Sequence, residues 1–214
     1  MDSLSEYLQS TRLCDFERVP EIRGTVGKLT EKLVGNRQKF NCVYQFVKEL
    51  PYGLEDWDVK ASETLRKGWG MCSGKVNLLV AMSRSLGIPA RYRIYKINAE
   101  RTLWQWIAKQ NSELATQLGK PLLEQDHITV DIYLDGWEIY DPSRDPAFEE
   151  GLRRLGIPLE RTPVTDTDGN SQLTVLASID EWARNRQLAR HFIRNRQQLF
   201  SRVNEQLDRI RAFS

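Results

Sequence analysis

The sequence of 214 residues has few of the residue types that build metal sites and disulfide frameworks. It contains only three cysteines and two histidines. No two cysteines have the Cys-x-x-Cys spacing of a structural zinc site, so we expect no metal and no other cofactor. An odd, sparse set of cysteines is also a poor disulfide framework, which favours a reducing compartment.

Long hydrophobic runs and an excess of charge are also missing. The longest apolar run, Leu78 to Met82, is far too short to cross a bilayer. Residues 1–6 lack the basic and then apolar layout of a secretory signal. The formal net charge of +2 gives no general case for a nucleic-acid or membrane partner. With 40% hydrophobic and 28% charged residues, the chain is predicted to be a soluble, cytoplasmic globular protein.

The spacing of apolar residues predicts helices first and a sheet later. Helical periodicity is found over 22–33 and 40–50, from Cys72 to a stop at Gly87, and in an inserted segment over 102–118. Alternation predicts strands over 91–97, 127–134 and 137–140, and Asp135-Gly136 is a strong hairpin signal. Residues 143–178 are predicted to be mostly loop. This order of elements indicates an α+β fold with an antiparallel sheet.

The C-terminal segment 178–214 differs in charge from the rest of the chain. It has eight arginines, no lysines and four acidic residues, so it carries +4 and residues 1–177 carry −2. We predict one long amphipathic helix over 179–213 that packs on the domain with solvated arginines. A homodimer through this helix is the next interpretation, and an anionic partner such as nucleic acid is the least favoured. The basic face would contain Arg184, Arg186, Arg190, Arg194, Arg196 and Arg202.

Cys72 lies where a glycine-rich loop meets the start of a predicted helix. The flanking Gly68 and Gly70 let the backbone approach a substrate carbonyl closely. A thiol at a helix N-terminus is close to unpaired N–H groups and to the positive end of the dipole, which favour the thiolate. Because the thiolate is the nucleophile, Cys72 is a candidate catalytic residue. The alternative is a small buried residue at a helix start.

A nucleophilic thiol needs a base, and only two histidines are available. His127 begins a predicted strand beside the hairpin, whereas His191 lies in the arginine-rich segment and is expected at the surface. A third group would orient the imidazole. Asp141 ends the strand that pairs with the strand of His127, and an Asp-Pro pair of this kind can also be an ordinary turn. The nearby alternatives are Asp126, Asp131 and Asp145.

Three separate blocks of the sequence resemble the core of the transglutaminase-like superfamily. The first runs from Ser62-Glu63-Thr64-Leu65 through Gly68-x-Gly70-x-Cys72 to Leu86-Gly87-Ile88-Pro89-Ala90-Arg91. The second is His127 leading a strand, and the third is Asp135-Gly136-Trp137-x-x-x-Asp141-Pro142-Ser143. Leu50-Pro51-Tyr52 is similar to the family's tyrosine-containing approach to the core. The resemblance covers residues 40–145 of this sequence.

This resemblance implies a papain-like fold with the triad Cys72 (nucleophile), His127 (base, then acid) and Asp141 (orienting residue). It also implies cofactor-free acyl transfer at an amide bond of a peptide or protein, through a thioester that is released to water or to an amine. The expected organisation is a catalytic domain over 1–177 and a basic helix over 178–214. Hydrolysis and amine transfer are equally compatible with the resemblance.

The sequence departs from the family pattern on the strand of His127. The family usually has an aromatic residue two positions after its histidine and an acid four positions after, and here these are Thr129 and Asp131. The Cys72 backbone N–H is one natural oxyanion donor, and Tyr52, Trp57 or Trp69 could supply another. Because of Thr129, the alternative function is a catalytically idle fold that binds a protein partner through the basic helix.

Overall fold

The computed structural model describes residues 4–98, 100–110, 113–114, 124–169, 172–190 and 195–214. A short 3-10 helix over Leu4–Leu8 comes first. The α-helices of the described residues are α1 (Pro20–Thr30), α2 (Asn36–Glu49), α3 (Ala61–Lys67), α4 (Cys72–Ser85), α5 (Arg101–Gln110), α6 (Pro146–Arg154), α7 (Asp180–Arg190) and α8 (Arg196–Arg211). None of them has the length and hydrophobicity that crossing a bilayer requires.

Four strands form one antiparallel sheet in the order β3-β2-β1-β4. The strands are β1 (Ala90–Asn98), β2 (Glu124–Tyr133), β3 (Trp137–Tyr140) and β4 (Leu173–Leu176). The predicted hairpin is present, since β2 pairs with β3 in a register that runs from Tyr133 opposite Trp137 to Val130 opposite Tyr140. The Leu134 N–H donates to the Gly136 carbonyl across the connecting loop.

Helix α4 lies at the centre of the fold and is buried on every side. All its residues from Cys72 to Arg84 are buried, and the helix contacts β1, β2 and the first three helices. Buried polar groups need hydrogen-bond partners, and three side chains of α4 find them in the carbonyls of surrounding segments. Lys75 donates to Lys48 and Leu50, Asn77 to Leu13 and Val59, and Arg84 to Gln9, Ala90 and Ala177.

A second, smaller cluster of buried apolar residues joins α5, α6 and α8. It includes Phe148 and Leu152 of α6 and Val203, Leu207 and Ile210 of α8. The helix N-cap of α6 is Asp145, whose side chain accepts from the Phe148 N–H at 2.9 Å and also forms an ion pair with Arg211 of α8. The C-terminal helix is therefore tied to the body of the protein by both apolar packing and charge.

The predicted continuous helix over 179–213 is wrong. The structure has two helices, α7 and α8, and Asn195 before α8 has φ 56° and ψ 32°, in the left-handed region. Asparagine adopts this conformation more easily than most residues, and a helix cannot continue through it. His191 lies outside the described residues.

The arginines of this segment are also less solvated than predicted. Arg186 forms an ion pair with Asp126 at 2.8 Å, Arg196 with Asp56 at 2.9 Å, and Arg202 with Glu113. Each of these acids lies in the segment 1–177. The ion pairs therefore neutralise part of the negative charge of this segment with positive charge from 178–214. Three arginines of the predicted basic face therefore form ion pairs within this chain.

Two further differences concern the middle of the chain. The segment predicted as mostly loop contains β4, whose four residues Leu173–Leu176 pair with Tyr92 to Tyr95 of β1. All four are exposed or half-buried, so no alternation of buried and exposed residues marks this strand. The first part of the inserted helix predicted over 102–118 is present as α5, which spans Arg101–Gln110, and residues 111–112 and 115–118 lie outside the described residues.

We predict that Gly151→Ala lowers the free energy of unfolding by about 2 kcal/mol. Gly151 lies where α6 crosses α8, and a Cβ there would be 2.0 Å from the Ile210 carbonyl oxygen, so the helices would have to separate. Gly27→Ala in α1 is the matched control, because a Cβ there meets nothing within 4 Å. It should stabilise the protein by about 0.5–1 kcal/mol. Urea unfolding of both variants measures this, and stabilisation by Gly151→Ala would contradict the close α6–α8 packing.

Candidate active site

Cys72 is the first residue of α4, as predicted, and a fixed loop holds it there. Met71, the N-cap, is extended. The Gly53 N–H donates to the Gly70 carbonyl and the Gly70 N–H donates to the Pro51 carbonyl, each at 3.1 Å, so the two segments form a short parallel bridge. The loop before the thiol is therefore held by backbone hydrogen bonds to residues 51–53.

A buried carboxylate explains the glycines around Cys72. Glu55 accepts a hydrogen bond from the Met71 N–H at 2.8 Å and forms an ion pair with Lys67. A Cβ on Gly70 would lie 3.0 Å from Glu55 Oε1, and a Cβ on Gly74 only 2.4 Å from it. Both positions therefore need glycine to admit the carboxylate. Burial raises the pKa of Glu55, against the lowering effect of Lys67.

His127 and Asp141 form a hydrogen-bonded pair. His127 lies in β2, is 3% exposed, and its Nε2 is 2.9 Å from Asp141 Oδ2. Continuing the β2–β3 register by one residue puts Asp141 opposite Thr129, so Asp141 is a diagonal neighbour of His127 on the same face. The Asp141 Oδ1 accepts from the Ser143 N–H at 2.9 Å. With Nε2 on the carboxylate, Nδ1 is the nitrogen that can accept a proton from a thiol.

The three alternative aspartates are engaged elsewhere. Asp126 pairs with Arg186, and Asp145 caps α6 and pairs with Arg211. Asp131 is fully buried and forms ion pairs with Arg91 and Arg93 of the neighbouring strand. Asp141 is therefore the aspartate that the structure brings to His127.

Burial and the neighbouring charges shift the pKa values of His127 and Asp141 in opposite directions. Burial lowers the pKa of His127, and the hydrogen bond that His127 donates to Asp141 only partly offsets this effect. Burial also tends to raise the pKa of Asp141, but hydrogen bonding to His127 and the nearby Arg161 hold it well below the usual range. At neutral pH the resting pair is accordingly a neutral imidazole that donates to an ionised carboxylate.

Cys72 and His127 line a single cavity of about 180 Å³. The thiol also interacts with the backbone of Ile128, the residue that follows His127. The remaining walls are Tyr52, Leu54, Trp57, Met71, Glu100, Trp104, Gln125, Asp126, Arg161, Leu199 and Val203. Two of the predicted oxyanion candidates, Tyr52 and Trp57, are thus at the cavity, whereas Trp69 packs against Gly53 and Lys67 instead.

The electrostatic state of Cys72 differs from the one predicted. Its position at a helix N-terminus predicts a lowered pKa, but the residue is only 6% exposed, and burial raises the pKa of the thiol to about 11. Arg161 opposes this shift and Asp141 adds to it. Burial outweighs the opposing effects of Arg161 and of the backbone of Ile128 and Ser73, and this balance favours the neutral thiol.

Several residues of the site carried no signal in the sequence. Arg161 lies in the connection between α6 and β4, and its Nη1 is 2.9 Å from Asp141 Oδ2. Trp104 of α5 and Leu199 and Val203 of α8 close the cavity. Arg161, Leu199 and Val203 follow the last of the matching blocks and Trp104 lies between two of them, and only the folded structure brings these residues to Cys72.

Residues 23–142, more than half of the chain, match the model of the transglutaminase-like superfamily. The chain therefore belongs to this superfamily, whose members in general are cysteine-dependent enzymes. The predicted family and the predicted α+β fold class are thereby confirmed.

No curated protein matches the chain. Among solved structures, a protein from Cytophaga hutchinsonii that was proposed to be a cysteine protease is similar, with a TM-score of 0.49 and 18% sequence identity. The match covers 83% of this chain and 52% of that one, so the chain spans about half the length of this solved structure.

We predict that alkylation of Cys72 by iodoacetamide is slow near pH 7 and rises about tenfold per pH unit up to about pH 10, because only the thiolate reacts. A variant with Cys14→Ala and Cys42→Ala leaves Cys72 as the single thiol for mass spectrometry. In denaturant the same thiol should react with an ordinary pKa of about 8.5. A folded-state rate that levels off below about pH 8 would show an activated thiolate instead.

Proposed function

We propose that the protein catalyses acyl transfer at an amide bond of a peptide or protein through a thioester on Cys72. The observation that carries this proposal is the arrangement around one cavity: a helix-terminal cysteine, and a histidine whose Nε2 is 2.9 Å from Asp141. In this proposal Cys72 is the nucleophile, His127 is the base and then the acid, and Asp141 orients the imidazole.

The first half of the reaction forms the thioester. Nδ1 of His127 takes the Cys72 proton as the sulfur attacks the carbonyl carbon, which gives a tetrahedral oxyanion. In this proposal the Cys72 backbone N–H, at the α4 N-terminus, donates to that oxyanion. When the C–N bond breaks, the amine leaves with the proton held by the imidazolium. Because the resting thiol is neutral, proton transfer to His127 has to accompany the attack.

The second half regenerates the thiol. Water or an amine attacks the thioester carbonyl while His127 accepts the proton of the nucleophile. The C–S bond then breaks and the thiolate recovers its proton from the imidazolium. The acyl product is an acid after hydrolysis and a new amide after amine transfer. Both outcomes use the same residues, so the ratio of water to amine that reaches the thioester decides between them.

The size of the cavity supports a substrate that enters end-on. A space of about 180 Å³ is smaller than typical ligand pockets, and it is lined by the apolar Leu54, Trp104, Leu199 and Val203 as well as by polar groups. It can hold a single acyl side chain or a chain end. The rest of the substrate would lie outside the cavity.

The experiment that tests this proposal traps the acyl-enzyme. Mixing the protein with p-nitrophenyl acetate should give a burst of p-nitrophenol and an acetyl group on Cys72, detected by intact-mass and peptide spectra. Cys72→Ser should abolish the burst. His127→Gln should slow it at least 10²-fold, because the thiol then lacks its base. Added putrescine or hydroxylamine tests whether an amine competes with water for the thioester.

Cys14→Ala and Cys42→Ala are the matched controls and should leave the burst unchanged. Equal acetylation of the three cysteines, or a burst that survives His127→Gln, would contradict the proposed roles. That result would favour an idle fold that binds a partner, although three arginines of the basic segment already pair with acids of this chain. A homodimer through that segment remains a prediction.

We also predict that Leu199→Ala speeds alkylation of Cys72 about threefold to tenfold at a fixed pH, a barrier change of about 1 kcal/mol. Leu199 is half-buried on α8 and forms part of the cavity wall, so its removal opens a path from solvent. Leu207→Ala in the same helix is the control, because Leu207 is buried in the second cluster and does not line the cavity. It should cost stability without raising the alkylation rate, and equal acceleration by both variants would indicate general loosening.

A further inference from the structure

Arg161 makes the closest cationic contact with the His127–Asp141 pair among the described residues. Its Nη1 lies 2.9 Å from Asp141 Oδ2 and 2.7 Å from Ser143 Oγ. The same nitrogen is 3.3 Å from Nε2 of His127. The side chain is 13% exposed and lines the Cys72 cavity.

Counting the hydrogens resolves these three contacts. A guanidinium Nη carries two hydrogens and cannot accept, so Nη1 can donate to Asp141 and to Ser143 and has no hydrogen left for His127. Nε2 of His127 is then free to donate its own hydrogen to Asp141 Oδ2. The carboxylate therefore receives two charge-assisted hydrogen bonds on Oδ2 and the Ser143 N–H on Oδ1.

Arg161 is itself held by a second ion pair. Its Nε lies 3.5 Å from Glu100 Oε1, and the same carboxylate pairs with Arg144. Arg144 is buried and donates to the Leu159 carbonyl at 2.8 Å. Glu100 thus restrains the far side of the guanidinium, and Nη1 is directed toward Asp141.

We propose that Arg161 is a positioning residue of the site, which holds the Asp141 carboxylate so that it accepts from Nε2 of His127 and leaves Nδ1 for the Cys72 thiol. This inference rests on the proposed function for its catalytic consequence, whereas the positioning itself is a property of the resting protein. Without the guanidinium, Asp141 keeps the hydrogen bonds from His127 and from the Ser143 N–H, but its Oδ2 loses a charged donor and the carboxylate can rotate toward solvent. The preference of the imidazole for the Nε2–H tautomer then weakens.

The experiment reads the His127 tautomer by long-range ¹H–¹⁵N spectra at a pH where the ring is neutral. The chain has only two histidines, so His191→Gln leaves one imidazole to observe. In the parent chain we expect mainly the Nε2–H tautomer. In Arg161→Met the Nδ1–H tautomer should become substantially populated, and the p-nitrophenyl acetate burst should slow about tenfold, the loss of one charged hydrogen bond. Arg161→Lys keeps the positive charge, so it should retain part of the Nε2–H tautomer preference and part of the burst rate.

Arg211→Met is the matched control. Arg211 is 14% exposed and forms an ion pair with Asp145 at 2.8 Å, but it does not contact His127. It should cost stability and leave the tautomer unchanged. Arg161→Gln, which preserves a polar donor, is the second variant if Arg161→Met folds poorly.

The outcomes separate this inference from the proposed function. An unchanged tautomer in folded Arg161→Met and Arg161→Gln, or the same change in Arg211→Met, would overturn the positioning role. A tautomer shift in Arg161→Met without any Cys72-dependent burst in the parent chain would support the positioning role and contradict the acyl-transfer proposal. A Cys72-dependent burst in the parent chain with an unchanged tautomer in Arg161→Met would support the acyl-transfer proposal and contradict the positioning role.

Discussion

The burial of α4 on every side is the constraint on which the rest of the structure depends. An unpaired polar group in such a place costs about 1–3 kcal/mol, so Lys75, Asn77 and Arg84 must find partners inside the protein. They find them in the carbonyls of segments that have few other contacts in common, including the end of α2 and the strand β1. The central helix therefore fixes its neighbours through hydrogen bonds as well as through apolar packing. Because Cys72 is the first residue of this helix, its backbone is held in place by the same contacts.

The same burial sets the chemical state of the candidate site. A helix N-terminus favours anions, but at α4 the buried Glu55 already accepts the Met71 N–H, so this donor does not stabilise a thiolate at Cys72. Desolvation also disfavours the ion pair, since it raises the pKa of Cys72 and lowers that of His127. Both effects favour the neutral thiol and the neutral imidazole over an ion pair. The proposed chemistry then depends on Asp141 to stabilise the imidazolium when the proton moves.

Local pattern was enough to predict much of the fold. The helix from Cys72 is marked by its glycines and by Pro89, and the β2–β3 hairpin by Asp135-Gly136. The strand β4 and the interruption at Asn195 were missed, because a four-residue edge strand has no visible alternation and an asparagine alone does not mark a break. Cys72, His127 and Asp141 were identified from their places in the predicted elements and then from the family blocks, and their catalytic roles stay a prediction. The pKa of Cys72 was predicted in the wrong direction, because its burial depends on α5 and α8, which are distant in sequence.

The candidate catalytic residues and the cavity walls come from different parts of the fold. The residues that would carry out proton transfer and attack come from α4, β2 and the end of β3, whose mutual positions follow from the buried helix and the register of the sheet. Part of the cavity wall comes from α8 and the loop of Arg161, which lie outside the matching residues 23–142, whereas Trp104 of α5 lies inside them. These walls enclose a cavity of about 180 Å³. In the proposed function, the core residues Cys72, His127 and Asp141 would set the type of reaction. Side chains such as Trp104, Leu199 and Arg161 would set which acyl group reaches Cys72.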